Sequence, residues 1–175
     1  MKDRSIILSL AAVVICTILM IIAAIVIPFD VKKTASIQQI SGVVEIHSPG
    51  SPAATLDSRE KNQLTIGDDI IVPPGSTTAL AFFNGGRALL EGPADLTLIT
   101  SYRHATVLGH TSDSRDHEDV LTLEQSQGTV RYYFDHTNPA KITIELPDGH
   151  FIPNSPCWII SIGADQQISS NEISC

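Results

Sequence analysis

Basic residues, cysteines and aromatic side chains are all scarce in this chain, and each shortage excludes something. Lys and Arg number 11 against 19 Asp and Glu. Setting aside Lys2, Arg4, Lys32, Lys33, Asp3 and Asp30 leaves seven basic against seventeen acidic residues from Thr34 onward, a balance of −10. A field of that sign repels a phosphate backbone, so no nucleic-acid partner is expected. Five Phe, three Tyr and one Trp offer few platforms for stacking on a sugar polymer. There is no G-x-S-x-G turn and no Cys-His context, so no catalytic residue is assigned and a non-enzymatic protein is expected. Six histidines (His47, His104, His110, His117, His136 and His150) lack the H-x₃-H or C-x₂-C spacing of a metal site, so neither metal nor cofactor is expected. The acidic cluster Asp113, Asp116, His117, Glu118 and Asp119 reads as a solvated loop rather than a cation site.

What the sequence has instead is one long apolar block at its start. Ser5–Ile27 runs twenty-three residues without a charge, which as a helix spans roughly 34 Å, enough for a bilayer core. A cleaved signal peptide would have a shorter apolar core and a small-x-small site, and neither is here. The block therefore reads as an uncleaved signal anchor in the cytoplasmic membrane. Lys2 and Arg4 on one side are matched by Lys32 and Lys33 on the other, so the positive-inside count is a tie. The free α-amino group tips the orientation toward an inside N-terminus, with residues 1–4 as a cytoplasmic stub, 28–36 as a tether and 37–175 as an extracytoplasmic domain. Ser5, Ser9, Ala12, Cys16 and Ala23 fall near one face of the helix. Small residues let helices approach closely in lipid, so this stripe is a candidate seam for a second copy or a partner helix.

Beyond the block, short apolar runs are closed by turn signals. Ile37–His47 reads as a strand bent at Gly42, and Gly67-Asp68 precedes Ile70–Val72. Asn84-Gly85-Gly86 separates Ala79–Phe83 from Ala88–Leu90, as in a hairpin whose central residues take positive φ. Pro93 follows, and Gly128 breaks Val120–Gln125 from Thr129–Phe134. Ile142, Ile144 and Leu146 alternate with polar residues. No window keeps a helical period, and strands at intervals of about 8–12 residues predict an all-β sandwich or short solenoid. Residues 79–98 and 142–161 share a strand, a Gly turn and a Pro seven positions past the Gly (Pro93, Pro156); a repeated unit and coincidence both fit.

Cys157 and Cys175 are the only cysteines outside the block. In an oxidising compartment they could bridge, stapling the C-terminus to the strand at 158–162; a free buried Cys157 with a frayed terminus is the competing reading. Trp158 beside them reads as core packing.

Ile40–Ile46 (ISGVVEI), Leu64–Ile70 (LTIGDDI), Ala79–Leu90 (ALAFFNGGRALL) and Leu123–Val130 (LEQSQGTV) together resemble the FecR-like periplasmic domain, with its G-x-V-x-V strand, G-(D/E) turn, (D/N)-G hairpin and later G-x-v segment. The resemblance covers about 37–130. It implies a single-pass protein carrying an extracytoplasmic all-β domain. The best-known members regulate a sigma factor through a cytoplasmic N-terminal segment. Met1–Arg4 does not supply one, so that half of the role is not carried over. The expectation is a membrane-anchored interaction or sensory module whose partners are the bilayer and another membrane or extracytoplasmic protein. An accessory subunit of a membrane complex is the alternative.

Overall fold

The computed structural model describes residues 13–22, 29–56, 63–105, 119–135 and 140–175. The chain divides into two compact units, one of Met1–Val31 with His104–His117 and one of Lys32–Arg103 with Glu118–Cys175. In the first, residues 13–22 form an α-helix, and its apolar side chains from Val13 to Ile22 are half exposed or more. Thr17 Oγ1 turns back to donate to the Val13 carbonyl at 2.8 Å. Among the described residues no helix is long and apolar enough to cross a membrane. Of the small-residue seam, Cys16 lies on this helix, exposed and with a free thiol. Ser5, Ser9, Ala12 and Ala23 lie outside the described residues.

All other regular structure described is strand: β1 (Phe29–Lys32), β2 (Ala35–Ser41), β3 (Val44–His47), β4 (Ala54–Leu56), β5 (Gln63–Leu64), β6 (Asp69–Val72), β7 (Thr77–Ala81), β8 (Arg87–Ala105), β9 (Asp119–Tyr133), β10 (Ala140–Leu146), β11 (Gly149–Phe151), β12 (Cys157–Ile162) and β13 (Ile168–Glu172). The all-β fold class is that predicted from the alternation. The bend expected at Gly42 divides β2 from β3, because that residue sits at φ +86°.

β8 and β9 organise the larger unit. They are 19 and 15 residues long, and each serves two halves of one curled sheet. The first half runs β5, β2, β7, the start of β8, the end of β9, β12 and β13. The second runs β4, β3, β6, the later part of β8, the start of β9, β10 and β11. These pairings are antiparallel except β9 with β10.

The curl is made at one corner. β8 passes through Gly92–Pro93, joined by a cis peptide bond, and β9 passes through Gly128 at φ +84°. There the β8–β9 register is irregular between Glu91 and Leu96. β8 buries its even-numbered residues on both sides of the corner: Ala88 and Leu90, then Ala94, Leu96 and Leu98. β9 changes parity, burying Leu121, Leu123 and Gln125 before the corner and Val130 and Tyr132 after it, with Phe134 just past its end continuing that parity. A one-residue slip would turn a strand inside out, and a bulge absorbs it. Gly128 therefore does not end the strand, as its sequence suggests, but lets it continue with the opposite face inward.

The inner faces of both halves belong to one apolar cluster, including Ile37, Leu80, Leu90 and Ile160 from the first half and Val44, Ile70, Leu96, Leu121 and Ile144 from the second. No other element described in this unit is available to cover them, so the two inner faces cover each other. Each such side chain contributes about 1.5–3 kcal/mol when fully buried. Trp158 packs against this core as expected, with its ring edge-on to Phe151 at 4.8 Å.

The corner leaves backbone carbonyls that Gln125, fully buried, takes up. Its Nε2 donates to the carbonyls of Gly128 at 2.9 Å and Ile160 at 3.2 Å. Its Oε1 accepts from the Tyr132 hydroxyl at 3.0 Å. Burial holds the Tyr132 phenol well above its usual range, so it acts as a hydrogen-bond donor and not as an acid.

The C-terminus is fastened as one of the two sequence readings has it. Cys157 and Cys175 form a disulfide with Cα atoms 5.8 Å apart. In the chain-entropy model such a loop contributes about 3 kcal/mol. β13 pairs along β12 from Trp158 with Glu172 to Ile162 with Ile168, and the Ile173 amide donates to the Cys157 carbonyl.

Candidate functional site: an outward cleft on the first half-sheet

Opposite its buried face, the first half-sheet presents Ala79 and Ala81 of β7, Arg87, Leu89 and Glu91 of β8, and Arg131 and Tyr133 of β9. The register sets Ala79 opposite Leu89, Leu89 opposite Arg131, and Arg87 opposite Tyr133. Leu89 is the residue at which alternation fails, an apolar side chain facing away from the core inside Ala88-Leu89-Leu90. That failure of alternation is the one signal of the site in the sequence, and it carries no motif.

Of these residues, Ala79, Arg87, Leu89 and Tyr133 line an open cavity of about 450 Å³ together with Gly85, Ala88, Phe134 and Asp135. A second cavity of about 220 Å³ shares Phe134 and Asp135 and is lined beyond them by Lys141, Ile142, Ile152 and Pro153. Arg131 is neutralised within the face, Nη2 lying 3.2 Å from Glu91 Oε1. Arg87 is exposed, and among the described residues no carboxylate lies within ion-pair distance of it.

The rim of the cleft is the β7–β8 turn. The Gly85 amide donates to the Phe82 carbonyl at 3.1 Å, and the Phe82 amide donates to the Gly86 carbonyl at 2.9 Å. Phe82 and Gly86 thus close a three-residue loop ending in a residue at positive φ, not a two-residue primed turn. Only Gly85 takes positive φ, at +84°. Gly86 is constrained differently: a Cβ there would come within 3.0 Å of Asn84 Oδ1 and 3.3 Å of the Tyr133 carbonyl. Asn84, fully buried, accepts the Gly86 amide at 3.1 Å. Phe83 is held from outside by Arg103, whose guanidinium lies 5.5 Å from the ring centroid and whose Nε donates to Asp119 Oδ2 at 2.9 Å.

The other residues singled out from sequence lie elsewhere and serve the fold. Gly67 and Asp68 tie their turn to β8: the Gly67 amide donates to the Leu98 carbonyl at 2.7 Å, and Asp68 Oδ2 accepts the Thr65 amide at 2.7 Å. Pro93 and Gly128, 35 positions apart, meet at the corner, where a Cβ on Gly128 would fall on the Pro93 carbonyl. Gly86 immediately precedes the second strand of its hairpin and Gly149 opens that of its own, but Pro93 lies within β8 whereas Pro156 lies outside any strand, so the two hairpins continue differently. His47 and His150 sit on the second half-sheet, and His110, His117 and His136 are outside the described residues. Among the described residues no group of His, Cys, Asp and Glu is placed to hold a metal ion.

The outer face of the second half-sheet has the opposite character. The register aligns His47, Asp69, Thr97, Glu124, Glu145 and His150 in one row across six neighbouring strands, with Glu45, Ile71 and Asp95 in the next. Thr97 Oγ1 donates to Asp69 Oδ1 at 3.0 Å. Burial, then a hydrogen bond to Asp69 and its charge, then Glu124, push the Asp95 carboxyl up to about 6, against the pull of a hydrogen bond from Ser126. A carboxyl raised in the fold binds its proton more tightly there than in the unfolded chain, so the stability it contributes below pH 4 is lost as pH rises to about 6. Asp95→Asn should therefore match the wild type in melting temperature near pH 4 and exceed it increasingly up to pH 6, then by a constant margin. The gain is modest because the group is only half buried. Melting curves between pH 4 and 8 check this, and a margin that does not change with pH would refute it.

The two outer faces thus differ, one carrying apolar residues, two arginines and the carboxylates of Glu91 and Asp135, the other five carboxylates, and no family model, curated protein or solved structure matches the chain.

Proposed function

We propose that this protein is a membrane-anchored, FecR-like, non-enzymatic interaction module whose β-domain lies outside the cytoplasmic membrane and docks another protein through the cleft over Leu89. The carrying observation is the cleft itself, an apolar hollow on the outer face of a sheet whose inner face already has its core. Outward apolar side chains grouped beside an arginine are typical of a recognition surface. Anchoring is supported by the twenty-three-residue uncharged block and by the helix at 13–22, apolar on every side and exposed. Side chains of that kind need lipid or another helix around them. The same exposed helix favours a second reading, an accessory subunit whose helix packs on a membrane partner.

A photo-crosslinking residue placed at Leu89 in the full chain, in membranes, tests the first reading. One protein should be captured from Leu89 and not from a control position, Thr143, on the outer face of the second half-sheet. Equal capture from both positions, or none from Leu89, would overturn it. Stoichiometric co-extraction with membrane proteins in mild detergent, without crosslinks at Leu89, would favour the subunit reading.

A further inference from the structure

We infer that the cleft receives an extended peptide segment which sets an aliphatic side chain against Leu89 and a carboxylate on Arg87, two residues apart on one face of the bound strand. This rests on the reading of the cleft as a protein-docking site and names the chemistry of what docks. The charge argument comes from the two arginines of the face. Arg131 has its counter-ion in Glu91 at 3.2 Å, whereas no carboxylate is in ion-pair reach of Arg87 among the described residues. A guanidinium beside an apolar hollow pairs with carboxylate in a two-pronged geometry that a neutral amide cannot reproduce.

The spacing argument comes from the strand. Arg87 and Leu89 are alternate residues of β8, so their side chains leave the same face about 7 Å apart. Alternate side chains of any extended chain have the same interval. A segment lying along β8 can therefore match both at once, while a compact solute in the hollow would leave one of them unused. Ala79 beside Leu89 and Tyr133 beside Arg87 widen the apolar floor, and among the described residues the one carboxylate of the lining, Asp135, is not within ion-pair distance of Arg87. The strongly negative chain repels acidic ligands in general, so only a segment whose carboxylate lands on Arg87 gains from having one.

The test uses the full chain in detergent and two fluorescein-labelled octapeptides. One is serine-valine-serine-glutamate repeated twice, which sets valine and glutamate alternately on one face; the other has glutamine for glutamate. Fluorescence anisotropy should show the glutamate peptide binding at least fivefold tighter. Arg87→Gln should abolish that preference and leave the glutamine peptide unchanged, while Leu89→Asp should weaken both at least fivefold. Circular dichroism confirms that these surface variants fold. Equal affinity for the two peptides, with loss of both in Leu89→Asp, would overturn the carboxylate and leave the cleft standing. Binding that neither substitution changes, or no binding of either peptide, would overturn the inference. Crosslinking from Leu89 in membranes then decides separately whether the cleft docks a protein at all.

Discussion

Gly128→Ala is expected to lower the stability of the β-domain by about 2–5 kcal/mol, a large part of what a domain of this size has. Two costs add. At φ +84° an alanine is strained by about 1–2 kcal/mol. The new methyl group would also meet the Pro93 carbonyl and Ala94 where β8 and β9 cross the corner, and backbone has no rotamer with which to move aside. Overpacking of this kind costs about 1–3 kcal/mol. Gly75→Ala is the control, because Gly75 has a similar φ of +79° and nothing within 4 Å of its would-be Cβ. It should lose only the strain. Thermal melting should place Gly128→Ala about 10–15 °C below the wild type and Gly75→Ala only a few degrees below. If the two variants melt together, the close crossing at the corner is wrong.

Gln125→Leu should cost about 3 kcal/mol although the two side chains are close in size. The substitution removes the donor to the Gly128 and Ile160 carbonyls and the acceptor of the Tyr132 hydroxyl. Orphaning a buried polar group costs about 1–3 kcal/mol, the carbonyls less than the phenol because each has a second lone pair. Tyr132→Phe alone should cost about 1–2 kcal/mol, since it leaves Gln125 Oε1 unpaired. The double variant should lose at least about 1 kcal/mol less than the sum, because leucine beside phenylalanine leaves no phenol to satisfy. Urea denaturation of the four proteins measures this coupling, and strict additivity would show that the hydrogen bond between the two side chains contributes nothing.

Both variants concern residues whose importance is invisible in a linear reading. Gly128 reads as the end of a strand, because a glycine between two alternating runs usually is. The runs on either side, Leu121–Gln125 and Val130–Phe134, bury opposite parities. That mismatch is present in the sequence, but two separate strands would produce it equally well, and only the pairing of both runs to the single strand β8 distinguishes the cases. Gln125 has no signature at all. A glutamine in an apolar alternation reads as a solvent-facing residue until the corner leaves carbonyls that need it.

The cleft was hidden for a related reason. Arg87 and Leu89 lie on one strand and Tyr133, more than forty positions further on, lies at the end of the next, and their juxtaposition depends on register. A shift by one position would send Leu89 into the core and Ala88 outward. The acidic rows of the second half-sheet are the same kind of fact: Asp69, Asp95, Glu124 and Glu145 are scattered along the sequence and become neighbours only through pairing.

By itself the amino-acid sequence determined what local chemistry can determine: an apolar block apart from the rest, strands by alternation, and turns where Gly67, Gly85 and Gly42 accept positive φ. It narrowed the cysteine question to one pair without closing it, because a bridge depends on distance in space and the 18 residues between Cys157 and Cys175 permit either outcome. The tertiary structure decided which strands run on, which parity faces inward, and what the outer faces carry. Alternation states that a strand has two faces, but register and curl alone choose which residues share them.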